Sequence, residues 1–141
     1  MNKFADVLVV GSGMAGLMAA LTAAREGCAV KLLSSGMGSL AISGGTIDLL
    51  GYVDGRMADD PWHTMNRLPE SHPYRLLGED TVRAAMYFLR DILREHGWPM
   101  GVFETEGCEH NTCVPTIMGT LRPTWLLPPG MNAHALKTAR R

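Results

Sequence analysis

The sequence predicts an α/β fold: one βαβ unit of an incomplete doubly wound parallel sheet, followed by the start of an inserted second region. Three observations predict it. An apolar, Val-rich run, FADVLVV (residues 4–10), leads into the glycine turn GSGMAG (residues 11–16). The turn opens an Ala-rich stretch, MAGLMAALTAAREG, with Arg25 in its last turn and Gly27 at its end, the ordinary close of a helix. A second apolar run, CAVKLLSS, follows directly. Strand, glycine turn, helix and strand within about 30 residues make a βαβ unit.

The first element has competitors. Residues 7–24, VLVVGSGMAGLMAALTAA, carry no charge. A membrane helix needs roughly 20 mostly apolar residues. This run is shorter, contains Gly11, Gly13 and Gly16, and follows Asp6. A secretory leader would use Lys3 and the small residues at the end of the run. Three glycines would weaken its helix, and Asp6 is poorly placed in it. The strand–turn–helix reading accounts for every one of these residues.

That reading gives the glycines physical work. Gly11 permits a tight exit from the strand, Gly13 lacks a Cβ where a pyrophosphate approaches the backbone, and Gly16 lets helix and sheet pack closely. Ala19, Ala20 and Ala23 keep the other helix faces thin. Phosphates would sit on free N–H groups at the positive end of the helix dipole. Gly11, Ser12, Gly13, Met14, Ala15 and Gly16 are therefore candidate cofactor contacts in a Rossmann-like, nucleotide-binding unit. An acid usually ends the second strand and holds the ribose hydroxyls. Here Ser34 takes that place, and a serine holds a ribose more weakly than a carboxylate does.

The next segment, SSGMGSLAISGGTIDLLGYVDG (residues 34–55), is rich in Gly and Ser and uncharged up to Asp48. Leu40, Ile42, Ile47, Leu49 and Leu50 are interleaved, which a solvated linker would not carry. A ribbon of this kind predicts a ligand passing close to the backbone, with Ser34, Ser35, Ser43, Gly44 and Gly45 as candidate contacts. Residues 1–60 are thus read as the N-terminal part of the nucleotide-binding domain.

Residues 61–100 are read as an irregular segment, punctuated by Pro61, Pro69 and Pro73, plus an amphipathic helix. In EDTVRAAMYFLRDILREHG the apolar face is Val82, Ala85, Met86, Leu89, Ile92 and Leu93. Residues 101–141 open a region of short strands, read as the start of a substrate or cap region. Cys108, His110 and Cys113 lack the paired spacing of a metal site, and none is assigned. Arg122, in GTLRPTW, offers a planar fork of donors that suits a phosphate, or else an ion pair. No residue stands out as a catalytic base; His72 and His110 qualify only by type.

Composition narrows the class. Thirteen Lys and Arg against fourteen Asp and Glu leave a net charge of −1, with no general attraction to nucleic acid or acidic lipid. Three cysteines give no disulfide framework.

A glycine turn followed by a Ser-Gly-Gly loop resembles the flavoprotein subunits of the FAD-dependent fumarate reductase and succinate dehydrogenase superfamily, in which this loop runs beside the flavin. Three blocks resemble a narrower group: ISGGTIDLLGYVDG, HPYRLLG (residues 72–78) and MGTLRPTWLLPP (residues 118–129) are similar to the N-terminal portion of the B subunit of anaerobic glycerol-3-phosphate dehydrogenase. That resemblance implies FMN or FAD as cofactor and sn-glycerol 3-phosphate as substrate, oxidised to dihydroxyacetone phosphate with electrons passed to quinone. It implies two partners, the flavoprotein A subunit and the membrane-anchoring iron–sulfur C subunit of the same enzyme. It implies a cytoplasmic location, peripheral at the inner face of the membrane through a partner, with no span in this chain. The family tends to lack the acid after the second strand, as Ser34 does here. It also implies that the chain is the beginning of a longer polypeptide, through truncation or a split gene. Two other readings stay open: a fumarate-reductase-like oxidoreductase with another substrate, and a non-catalytic fragment that only docks onto partners.

Overall fold

A computed structural model describes residues 4–131. They form a mixed α/β structure in two compact units, divided between Gly44 and Gly45.

In the first unit, strand β1 (Val7–Val10) pairs in parallel with β2 (Val30–Leu33), Val7 opposite Val30 and Val10 opposite Leu33. Helix α1 (Met14–Arg25) connects them. Asp6 fastens the strand starts: its N–H donates to the Ala29 carbonyl, and its carboxylate accepts the Ala29 N–H at 2.8 Å. The helix ends in a Schellman arrangement. Gly27 stands at φ +87°, its N–H reaches Ala24 O, and the Cys28 N–H reaches Ala23 O. The uncharged opening run is therefore a strand, a turn and a helix, and no helix among the described residues is long and apolar enough to cross a membrane. The parallel pairing among the described residues consists of these two strands.

The second unit is built from antiparallel hairpins and short helices. Strands β3 (Tyr52–Val53) and β4 (Arg56–Met57) are joined by Asp54 and Gly55, both at positive φ, the turn that matches strand twist. Strands β5 (Phe103–Thr105) and β6 (Cys108–His110) are joined in the same way by Glu106 and Gly107. Strands β7 (Thr112–Pro115) and β8 (Leu121–Thr124) form the longest antiparallel ladder, four residue pairs. Helix α2 (Pro61–Met65) begins with Asp60 accepting the His63 N–H and Pro61 at the first position. Helix α3 (Pro73–Leu77) begins with His72 Nδ1 accepting the Tyr74 N–H.

Helix α4 (Glu79–Glu95) is the amphipathic helix expected from its spacing. Val82 is buried, Met86, Leu89, Ile92 and Leu93 are half-buried, and Ala85 is exposed. The apolar face is thus narrower than the sequence pattern suggests. Its C-terminus repeats the device of α1: Gly97 at φ +81° donates to Arg94 O, and Trp98 donates to Leu93 O.

The core of this unit gathers Leu50, Val53, Ala58, Trp62, Met65, Val82, Met100, Trp125 and Leu126. At its centre Trp62 and Trp125 meet edge to face, with centroids 5.3 Å apart, and Tyr87 lies 5.9 Å from Trp125.

Candidate functional site

The glycine turn holds the arrangement that its spacing predicts. Gly11 leaves β1 at φ +108°, a conformation that side chains with a Cβ rarely adopt. Gly13 is the N-cap of α1, and no side chain caps the helix. The first N–H groups of a helix have no partner within it, and here those of Met14, Ala15 and Gly16 open the helix. Around Gly13 nothing lies within 4 Å of where a Cβ would stand, so an anion has room at this end. Gly16 is the opposite case. A Cβ there would fall 2.0 Å from the Gly11 carbonyl oxygen, so the helix reaches the turn only because residue 16 is glycine. A turn open at Gly13 and closed by contact at Gly16 fits the pyrophosphate of a dinucleotide.

The start of the Ser-Gly ribbon belongs to the same unit and touches this turn. The hydroxyls of Ser12 and Ser34 lie 2.7 Å apart. Both reach the Gly36 carbonyl, and the Gly36 N–H points back at Ser34 Oγ. Ser34 thus stands at the end of β2, where an acid is usual, with its hydroxyl turned to the glycine turn. Ser35 follows it, exposed.

Ser43 and Gly44 close the first unit, and Gly45 opens the second. The continuation of the ribbon is strongly held. Ile47 forms an antiparallel bridge with Leu126, its N–H donating to Leu126 O and its carbonyl accepting from Trp125 and Leu126 N–H. Thr124 Oγ1 donates to the same carbonyl at 3.2 Å. Tyr74 Oη donates to Leu49 O. The three separate sequence blocks, TIDLL, HPYRLLG and TLRPTWLL, are therefore neighbours in one structure. Ile42 is an exception to the expected burial of this ribbon: it is 86% exposed, at the end of a short 3₁₀ turn, Ser39–Ile42.

Arg122 lies on β8 in the second unit. Its Nη2 donates to Thr46 Oγ1 at 2.7 Å, and its Nη1 is 3.4 Å from Asp48 Oδ2. Both side chains of the ion pair are partly exposed, so water weakens the attachment. The arginine is fastened to the residues that directly follow Gly45.

The two histidines hold local structure. His72 caps α3, and His110 Nδ1 lies 2.9 Å from Asp59 Oδ2. Cys113 donates its S–H to Met57 Sδ at 3.4 Å, and Cys108 is exposed. Among the described residues no group of three His, Cys, Asp or Glu side chains is placed to hold a metal ion.

Sequence reasoning missed a polar cluster beside the aromatic core. Glu109 accepts from Trp62 Nε1 and from Tyr87 Oη, each at 2.9 Å. Arg83 and Arg90 approach the same carboxylate at 3.9 and 3.8 Å, and each also lies over an aromatic ring, Arg83 over Trp62 and Arg90 over Tyr87. Burial pushes the Tyr87 phenol above its ordinary range, and the neighbouring Glu109 adds to that while Arg83 opposes it. The cluster borders a cleft of about 260 Å³ that Asp60 and Glu104 also line. The only sequence signal for it was the pairing of Arg83 and Arg90 with aromatic residues at helical spacing.

Comparison with known proteins agrees with the geometry of the turn. Over 138 residues, 95% of its length, the chain is 35% identical to the anaerobic glycerol-3-phosphate dehydrogenase B subunit of Vibrio vulnificus (strain YJ016), and it covers 31% of that protein. The corresponding B subunit of Vibrio cholerae serotype O1 (strain ATCC 39315 / El Tor Inaba N16961) is 36% identical over 129 residues, 88% of this chain and 29% of the relative. That of Aliivibrio fischeri (strain ATCC 700601 / ES114) is 32% identical over 128 residues, 88% of this chain and 28% of the relative. The chain spans about a third of the length of these relatives. A family model described as the FAD binding domain matches residues 6–141. The match contains the open glycine turn, its uncapped helix and the ribbon behind it, and the chain belongs to the FAD binding domain family.

Proposed function

We propose that the chain is the flavin-binding segment of a B subunit of anaerobic glycerol-3-phosphate dehydrogenase. The observation that carries this reading is the turn at Gly11–Gly16: an uncapped helix start with open space at Gly13, in a chain similar to the Vibrio relatives along most of its length. In this reading β1, α1 and β2 are the first part of a Rossmann-like sheet. The segment to residue 60 belongs to the cofactor domain, residues 61–100 are an irregular segment plus an amphipathic helix, and residues 101–141 begin the substrate or cap region.

The N–H groups of Met14, Ala15 and Gly16 hold the cofactor's phosphates through charge-assisted hydrogen bonds and the helix dipole. Gly13 leaves the approach free. Ser34, Ser35, Ser43, Gly44 and Gly45 line the path of the same molecule, which is FAD in the family's description and FMN in the alternative. Arg122, set beside Thr46 and Asp48, binds a phosphate of the substrate or the flavin. The chemistry that the flavin would supply when bound is acceptance of a hydride equivalent from C2 of sn-glycerol 3-phosphate, with the C2 hydroxyl proton released to water, leaving dihydroxyacetone phosphate. Electrons then reach quinone through two partners. One is the flavoprotein A subunit; the other is the iron–sulfur C subunit, which anchors the complex at the cytoplasmic face of the membrane.

Anaerobic addition of glycerol 3-phosphate to the flavin-loaded protein, in complex with its partners, is expected to bleach the oxidised flavin. Flavin that stays oxidised with glycerol 3-phosphate but is bleached by dithionite would overturn the substrate assignment. Arg122→Ala separates the two phosphate roles. A rise in KM with full flavin content places Arg122 on the substrate, loss of flavin places it on the cofactor, and no change in either removes it from the site.

A further inference from the structure

Two carbonyl groups of the phosphate turn are covered by glycines, and only one belongs to the glycine motif. Gly16 sits against Gly11 O; Gly38, more than twenty residues further on, sits against Ser12 O, where a Cβ would stand 2.1 Å away. Gly38 has φ −67° and ψ 166°, an extended conformation open to any residue. Its requirement is space and not backbone freedom. A Cβ there would also come within 3.0 Å of Gly13 Cα, and these are backbone atoms that cannot swing aside. On the same stretch, Ser34 Oγ meets Ser12 Oγ at 2.7 Å, and the Gly36 carbonyl accepts from both serines. Residues 34–38 are thus held to the turn by hydrogen bonds at one end and by a contact without a side chain at the other.

We propose that Ser34 and Gly38 are positioning residues: they clasp the 34–38 ribbon to Ser12 and fix the shape of the phosphate turn before the cofactor arrives. The inference rests on the cofactor reading above and deepens it. It gives Ser34 a role that a carboxylate would not fill. An acid at this place would face the Gly36 carbonyl, an acceptor, whereas a hydroxyl donates to it. A turn set in advance loses less conformational freedom on binding and holds its ligand more tightly.

Three variants of the full chain, Gly38→Ala, Ser34→Ala and Ser34→Thr, test the clasp with two readouts. The first is hydrogen exchange of the peptide covering residues 10–14 in cofactor-free protein. The second is flavin retention on titration. Gly38→Ala is expected to speed exchange in that peptide and to lower flavin affinity by at least tenfold. Ser34→Ala is expected to cost about tenfold in affinity, the weight of one or two hydrogen bonds, and Ser34→Thr, which keeps the hydroxyl, to recover most of it. Tryptophan fluorescence, which reports Trp62, Trp98 and Trp125 of the second unit, should be unchanged in all three variants. Unaltered exchange at residues 10–14 in Gly38→Ala would overturn the clasp, as would equal affinities for Ser34→Ala and Ser34→Thr. A wild-type chain that takes up no flavin would overturn the cofactor reading instead, and the exchange comparison would still decide the clasp.

Discussion

At the scale of single residues, most of the specificity of this structure lies in polar groups that join distant segments. Asn111 is the clearest case. It is 5% exposed, and its side-chain amide donates to Leu50 O and Ala58 O, both at 2.7 Å. Those carbonyls flank the β3–β4 hairpin, so one side chain satisfies both ends of it. Asn111→Ala would leave two buried acceptors without donors. Each orphaned group costs about 1–3 kcal/mol, and the substitution is expected to destabilise the second unit by about 2–4 kcal/mol. Urea unfolding followed by tryptophan fluorescence measures this. A loss below about 0.5 kcal/mol would mean that water replaces the lost donors. Nothing in the local sequence EHNTC announces this role. The partners lie about fifty to sixty residues away, and an asparagine in a strand-rich stretch looks like any polar turn residue. The same holds for Glu109, whose neighbours Trp62, Tyr87, Arg83 and Arg90 meet only once the chain is folded. By contrast Gly11 and Gly16 were legible, because a strand exit at positive φ and a close backbone contact each demand glycine within six residues.

At the scale of elements, the sequence is most readable where one periodic pattern and one terminator coincide. β1, α1, β2 and α4 follow from apolar runs, a 3.6-residue period and the closing glycines Gly27 and Gly97. Of the hairpins of the second unit, β5–β6 and β7–β8 were legible only as a region of short strands and β3–β4 was not read, since strands of two to four residues carry no period. Helix α3 shows how tertiary contacts complete such an element. It has five residues, too few to be stable alone. His72 caps its start, and Tyr74 Oη anchors it to Leu49 O, in the block that follows the Ser-Gly-Gly loop. Burial raises the Tyr74 phenol above its ordinary value. A pKa raised on folding means that the native state holds its proton more firmly than the unfolded chain does. The resulting stability is full below the unfolded phenol pKa and is lost as pH rises through the folded value. Tyr87, also raised by burial, acts in the same direction. Tyr74→Phe is therefore expected to be less stable than wild type at neutral pH, by about 1 kcal/mol for the lost hydrogen bond. Its stability should also fall less steeply above pH ~10. Parallel stability curves for wild type and Tyr74→Phe through the alkaline range would contradict the assignment.

At the scale of the whole molecule, burial is distributed unevenly, and this has a measurable consequence. Every buried hydrophobic residue among the described residues lies between Leu50 and Leu127, within the second unit. In the first unit α1 buries no residue completely. On the sheet, Leu8, Val10 and Leu33 are 59%, 79% and 55% exposed, and the parallel register places them on one face. Apolar burial at about 25 cal/mol per Å² is the main source of stability. The first unit must therefore open more readily than the second, by local unfolding of lower free energy. Amides of Val9, Leu17 and Leu32 are expected to exchange faster than those of Trp125 and Leu126, which pair with Ile47 and lie in the core. A ligand bound at Gly11–Gly16 would reverse the order in part, because binding to the closed form alone adds RT ln(1 + [L]/Kd). FAD at a hundred times its Kd is then expected to slow exchange in the first unit by about a hundredfold. Exchange at Trp125 and Leu126, away from the turn in the chain, should change far less. Equal slowing in both units would mean that the cofactor stabilises the molecule as one cooperative body, and no slowing at residues 10–17 would remove the phosphate turn from the binding site.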